Sequence, residues 1–330
     1  RGNIYFHQVS VSKYPLFEHT PYEQVLTSKL VDVVKFEELE LLHVHYAIPH
    51  ASAAYMAQQI LKSQGINIPF ITTLHGTDIT LVGKDPSFEP VITFAINNSN
   101  AVTAVSESLK KDTYKHFTIN NGIEVIPNFI CLQEYNLPNN KKYKKRYAPN
   151  GEFIITHISN FRKVKRVDDV IAVFNKLREQ IPCKLLLVGD GPERPRLERL
   201  CRDKYCMENT LFLGQMESTK EVLNISDLFL LPSETESFGL AALEAMASGV
   251  PVIASNTGGL AEVVNHGDSG YLTEVGDIDG MVKHALSLLE SEEKLANFKQ
   301  AAVKKAKEFD INQILPLYEN LYRKTIELSK

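Results

Sequence analysis

Cysteine is scarce in this 330-residue chain, with four side chains in all, too few for a disulfide scaffold. Cys201 and Cys206 lie close together at what reads as the polar end of a helix, while Cys131 and Cys183 stand far away. No C-x-x-C pair or neighbouring histidine completes a ligand set, so no metal is expected. No apolar run approaches the ~20 residues needed to span a bilayer. Basic excess is lacking too: 36 Lys and Arg against 40 Asp and Glu leave a formal charge of −4, without the positive field of a nucleic-acid binder. The longest basic run, Lys141-Lys142-Tyr143-Lys144-Lys145-Arg146, reads as a solvated linker rather than a nucleic-acid or lipid patch. Reduced thiols without an export signal point to the cytoplasm.

Against these absences, the chain is 44% hydrophobic and 23% charged, which is ordinary globular composition. At ~150 residues per domain its length suits two domains. Short β-branched runs alternate with helical patterns nearly throughout. The first half reads as strands at Ile4–Val9, Leu41–His45, Phe70–Leu74, Ala101–Val105 and Ile123–Ile126. The second half reads as strands at Phe153–Ile158, Leu185–Val188, Leu211–Leu213, Leu228–Leu231, Val252–Ala254 and Tyr271–Leu272. Between them, helices such as Ala51–Ser63 repeat apolar residues at helical spacing. Near-continuous apolar strands with helical crossovers predict two doubly wound α/β domains with parallel sheets. The expected division is a first domain over 1–150 that includes the linker 128–150, where Pro138, Pro149 and the pair Asn139-Asn140 give linker composition. A second domain over 151–312 follows, and a final helix over 313–330 crosses back to the first. In such sheets ligands bind beyond the carboxyl ends of the strands, here in a cleft between the domains.

Three segments after strands carry chemistry. In Leu231-Pro232-Ser233-Glu234-Thr235-Glu236-Ser237-Phe238-Gly239-Leu240-Ala241, a loop with Glu236 leads into a helix opened by Gly239. The unpaired N–H groups at that helix start suit a diphosphate. Glu244, about a turn inside, could accept from ribose hydroxyls, and Glu236 from a sugar; equally, both carboxylates could simply complement the helix dipole. In Ser159-Asn160-Phe161-Arg162-Lys163-Val164-Lys165-Arg166, crowded cations repel unless an anion is present, and arginine favours planar phosphate recognition. In His75-Gly76-Thr77-Asp78, a histidine, a hydroxyl and a carboxylate meet beside a glycine that lets a ligand approach. Neighbouring His43 and His45 share one strand face, and Tyr46 just beyond is a candidate ligand contact. Gly189-Asp190-Gly191 lacks the third glycine of a dinucleotide fingerprint, and Asp277 reads as a helix cap.

Glu236-x7-Glu244, within S-E-T-E-S-F-G-L-A-A-L-E-A-M-A-S-G-V-P-V-I, resembles the donor-site signature of retaining family-4 glycosyltransferases of the GT-B fold. The resemblance runs across the whole chain. The stretches H-V-H-Y-A-I-P-H-A, I-T-T-L-H-G-T-D-I-T-L-V-G, A-V-T-A-V-S-E-S-L-K and S-N-F-R-K-V-K-R-V-D-D-V are similar to one branch of that family. That branch moves N-acetylglucosamine from UDP-GlcNAc to the hydroxyl of L-malate, the first step of bacillithiol biosynthesis.

The resemblance implies roles position by position. Glu244 would hold the uridine ribose and Glu236 the donor sugar, with Ser237, Phe238, Gly239 and Leu240 framing the donor site. Arg162 and Lys165 would neutralise the leaving diphosphate; the wider family often has an arginine where Asn160 stands, and Arg162 replaces it by charge. His75 would sit against the sugar near the reacting carbon, and Tyr46 and Thr77 would join it on the acceptor side. Family members begin with a strand and a G-G-S-G loop that this sequence lacks, implying a fragment of the gene product or a copy missing part of its site. Implied partners are UDP-GlcNAc and L-malate, with no cofactor, metal, nucleic acid or membrane; a homo-oligomer is left open. Three rivals remain: a glycoside hydrolase using Glu236 and Glu244, a non-catalytic nucleotide-sugar binder, and a related transferase with another donor or acceptor.

Overall fold

The apolar runs of the sequence become two parallel sheets in the structure, a computed structural model that describes residues 3–11, 21–81, 85–138 and 140–330. Asn139 of the expected linker lies outside the described residues. The chain divides into two compact units, one of 1–127 with 315–330 and one of 128–314.

In the first unit, β1 (Leu42–His45), β2 (Phe70–Leu74), β3 (Ala101–Ala104) and β4 (Ile123–Val125) lie in that order, all parallel. Alternation along β1 gives the sheet two characters. Leu42 and Val44 pack with Ala54, Ala57 and Leu61 of the helix Ser52–Ser63, whose small apolar stripe lets it lie close to the sheet. His43, on the opposite face, meets the last helix, Ile311–Leu328, through the Tyr322 hydroxyl at 2.7 Å.

The second unit holds β5 (Phe153–Ile158), β6 (Cys183–Val188), β7 (Thr210–Gly214), β8 (Leu228–Leu231), β9 (Val252–Ser255) and β10 (Gly270–Thr273). Their spatial order is β10-β9-β8-β5-β6-β7, all parallel. The chain steps outward from β5 to β7, then returns to the other side of β5 and steps outward again. Strand order therefore reverses between β5 and β8, and the connections leaving those two strands part in opposite directions, opening a crevice at their carboxyl ends. Beneath it, Ile155, Leu185 and Leu187 pack with Val170, Phe174 and Leu177 of the helix Val167–Arg178.

Two expectations need correction. Ile4–Val9 forms no strand, and Ile4, Tyr5 and Phe6 are 79%, 70% and 90% exposed. A β-branched run becomes a strand only when its backbone pairs, and no described strand pairs with this one. The expected linker 128–150 groups with the second unit instead of the first. It carries the helix Lys141–Tyr147, where Lys144 pairs with buried Asp227 at 2.6 Å while Tyr143 and Tyr147 pack against an apolar cluster that includes Val222 and Ile225. The basic run is thus anchored on one side by a carboxylate and on the other by its tyrosines. Asp277 does cap a helix, Ile278–Leu289, accepting from the Gly280 N–H at 2.9 Å.

Candidate active site

At the β5–β8 switch, the two motif-bearing loops are tied to each other. Buried His157, on β5, contacts the Leu230 carbonyl at 2.8 Å and the Ser159 hydroxyl at 2.8 Å. Because a carbonyl only accepts, the proton resides on Nδ1 and Nε2 accepts from Ser159. Burial presses this ring down to about 4, which keeps it neutral. Farther along, the Glu234 N–H donates to the Val164 carbonyl at 2.8 Å. Phe161, fully buried at φ 34°, pins the β5 loop into the core. Across the crevice Lys165 Nζ meets Glu236 Oε1 at 2.5 Å, and Ser233 Oγ donates to the same oxygen at 2.9 Å. Their side chains are 21% and 12% exposed, so this is a largely desolvated pair with a third hydrogen-bonding partner. Arg162 makes no ion pair among the described residues, and it lines a cavity of about 430 Å³ together with Arg166, Arg196 and Glu234.

Gly239 opens the helix Leu240–Ala247 in the left-handed region, at φ 95°, and a Cβ there would lie 2.5 Å from Leu260 Cδ2. The N–H groups of its first turn have no carbonyl partner within the helix, and Leu240 is exposed beside them. Ser237 is half-buried, whereas the Phe238 side chain is buried against Phe309, with ring centroids 5.5 Å apart, so Phe238 can offer only its backbone to a ligand. Glu244 interacts with Thr219 and Tyr135, and burial raises its carboxyl pKa.

Glycines missed as site residues shape these loops. The Gly259 N–H donates to the Glu236 carbonyl at 2.9 Å, and a Cβ on Gly258 would lie 1.9 Å from that oxygen. The Gly189-Asp190-Gly191 motif has a related purpose: Cβ atoms there would fall 1.8 Å and 2.0 Å from the carbonyl oxygens of Ser159 and Asn160. These glycines let the turn after β6 press on the phosphate-candidate loop. The signal legible in the sequence was a glycine pair after a strand; what it faced was not.

In the first unit, the ends of β1 and β2 bring Tyr46 and His75 together, with Thr77 two residues beyond His75 in the chain. The rings of Tyr46 and His75 are 5.0 Å apart, and His45 Nδ1 meets His75 Nε2 at 2.8 Å. Thr77 is exposed and His75 half-buried. Burial, reinforced by His45, presses His75 down to about 4. His43 is held down to about 4 by burial, with His45 and His75 adding to it. Both of its nitrogens are engaged, Nδ1 by Tyr322 Oη at 2.7 Å and Nε2 by Thr73 Oγ1 at 2.7 Å. Among the described residues, no cluster of three histidine, cysteine or carboxylate side chains is placed to hold a metal. Nor is any described helix long and apolar enough to cross a membrane.

Comparison with known proteins fits this geometry. Residues 139–305 match the family model described as glycosyl transferases group 1, and residues 1–134 match glycosyltransferase family 4. N-acetyl-alpha-D-glucosaminyl L-malate synthase from Bacillus anthracis is 47% identical over 97% of this chain and 84% of its own length. Two solved structures share the fold at 21% identity. HepE from Anabaena, determined with UDP-glucose, superposes with a TM-score of 0.79 over 94% of this chain and 84% of its own. Sucrose-phosphate synthase from Thermosynechococcus elongatus does so with a TM-score of 0.78 over 97% and 83%. The two parallel α/β sheets are those of the GT-B fold, and the chain belongs to the family-4 glycosyltransferases.

Proposed function

We propose that this enzyme transfers N-acetylglucosamine from UDP-GlcNAc to the hydroxyl of L-malate with retention of the α configuration. The observation that carries the reading is the 47% identity to a GlcNAc-malate synthase over 97% of the chain. The second unit is the nucleotide-sugar domain and the first is the acceptor domain. Glu244 holds the ribose. Arg162, Lys165 and the helix start at Ser237–Leu240 receive the diphosphate, which places electrostatic stabilisation where charge develops on the leaving UDP. Entry of that dianion competes for Lys165 and frees Glu236 to accept from the sugar hydroxyls.

Cationic side chains and backbone N–H groups supply the charge neutralisation, so the proposed reaction is metal-independent. The bond from the anomeric carbon to the diphosphate oxygen breaks, and the malate hydroxyl oxygen bonds to that carbon from the same face. The departing phosphate oxygen takes the hydroxyl proton. His75 stands against the sugar near the reacting carbon, with Tyr46 and Thr77 lining the acceptor side.

The test is UDP release from UDP-GlcNAc with and without L-malate, with mass analysis of the product. Malate-dependent UDP and a GlcNAc-malate mass are expected. UDP binding without turnover would leave a nucleotide-sugar binder, and transfer to another acceptor would leave only the family activity.

A further inference from the structure

We propose that Asp78 is the positioning residue of the acceptor side, its carboxylate tying the turn after β1 to the turn after β2 and so setting where Tyr46 and His75 stand. The inference rests on the reading above in one respect, that these two side chains face the acceptor. Asp78 is 2% exposed, and no cationic side chain pairs with it among the described residues. Its Oδ2 accepts from the Ala47 N–H at 2.7 Å and its Oδ1 from the Gly76 N–H at 3.1 Å. The N–H groups of His75 and of Asp78 itself also point to it. A buried carboxylate without a cation is costly unless hydrogen bonds replace its water, and here converging backbone donors do so.

The backbone at each anchored N–H is conformationally unusual. Tyr46, immediately before Ala47, adopts φ 75°, the left-handed region that a non-glycine residue rarely occupies. Its own N–H donates to the Thr73 carbonyl of β2 at 2.9 Å, so Tyr46 is clamped between β2 on one side and Asp78 on the other. Gly76, immediately after His75, sits at φ 113°. Strained turns persist when their surroundings over-determine them. One carboxylate with an oxygen for each turn provides that constraint, and asparagine cannot: its amide nitrogen donates and would face one of the two N–H groups.

The test compares Asp78→Asn with Ile92→Ala, a core truncation at a fully buried position in the same unit. Kinetics would follow malate-dependent UDP release, calorimetry the Kd for UDP, and thermal melting the fold. For D78N, kcat should fall about 100-fold, as a ~1 Å misplacement of reacting groups can cost. The malate KM should rise while the Kd for UDP stays within about twofold, because the donor groups belong to the other unit. I92A, with its own loss of Tm, should keep kcat within about threefold well below its Tm; a fall matching that of D78N would make the effect general destabilisation and overturn the proposal. D78N retaining kcat within about threefold, or losing UDP affinity in parallel, would overturn it too. Histidine side-chain ¹⁵N shifts keep the two readings separable. If the wild type ignores malate, the acceptor reading falls, while unchanged His45 and His75 signals in D78N would sink the positioning role independently.

Discussion

Alanine at position 258 would place a Cβ 1.9 Å from the Glu236 carbonyl oxygen and 2.9 Å from its carbon, where real Cβ contacts essentially never fall below 3.0 Å. The obstacle is backbone, so the loop bearing Glu236 must retreat by roughly 1 Å, and a displacement of that size near reacting groups can cost about 100-fold in rate. That retreat would also strain the 2.5 Å contact to Lys165 and the 2.9 Å contact to Ser233. A separate cost comes from φ 55° at this residue, about 1–2 kcal/mol for a non-glycine. Gly267→Ala isolates that second cost, since Gly267 sits at φ 81° with nothing within 4 Å of its added Cβ. Both variants should lose a few degrees of Tm, at about 2–4 °C per kcal/mol for a unit the size of 128–314. Only G258A should also lose about 100-fold in kcat/KM for UDP-GlcNAc at saturating malate. If G258A and G267A agree within about threefold in kcat/KM, the glycine does not hold the site loop and the reasoning fails.

Lys165→Met removes the cation facing a Glu236 side chain only 12% exposed, and kcat should fall by about 10²–10³ in the UDP-release assay; a loss under tenfold would argue against a role in leaving-group stabilisation. His157 is held at about 4 in the folded protein against 6.5 for a free ring, so the unfolded chain binds its proton first as pH drops. Its contribution is complete above pH 6.5 and is lost as pH falls toward 4, by roughly 1.4 kcal/mol per unit inside that window. Urea midpoints at pH 7 and pH 5 should therefore converge in His157→Asn relative to the parent protein. Tyr322→Phe strips the 2.7 Å partner from His43 Nδ1 and should destabilise by about 1–3 kcal/mol, read by calorimetry; an unchanged Tm would mean that water replaces the hydroxyl.

Much of this architecture is legible in the sequence. β-branched and apolar runs marked β2, β5 and β8 to the residue, because a strand buried on both faces has a local signature. Glu236, Gly239 and Glu244 could be singled out because a strand, a polar loop and a glycine-opened helix are consecutive in the chain. Ile4–Val9 misled for the opposite reason: strand propensity is local, but pairing is not. The stretch 128–150 misled because prolines and lysines describe a linker equally well whether or not Asp227 waits for Lys144.

Local patterns in the chain specify the alternation of strand and helix, the placement of chemistry after strands and membership of the family. Each follows from residues close together in the chain, where spacing and residue type are enough. Which distant groups meet emerges from the folded chain alone: Lys165 with Glu236, His45 with His75, Asp78 with Ala47, and Gly258 with the Glu236 carbonyl. Those meetings depend on strand order and on a few left-handed turns. Strand order reverses at β5 and β8 because of how whole crossovers pack, and no local window of residues encodes that reversal.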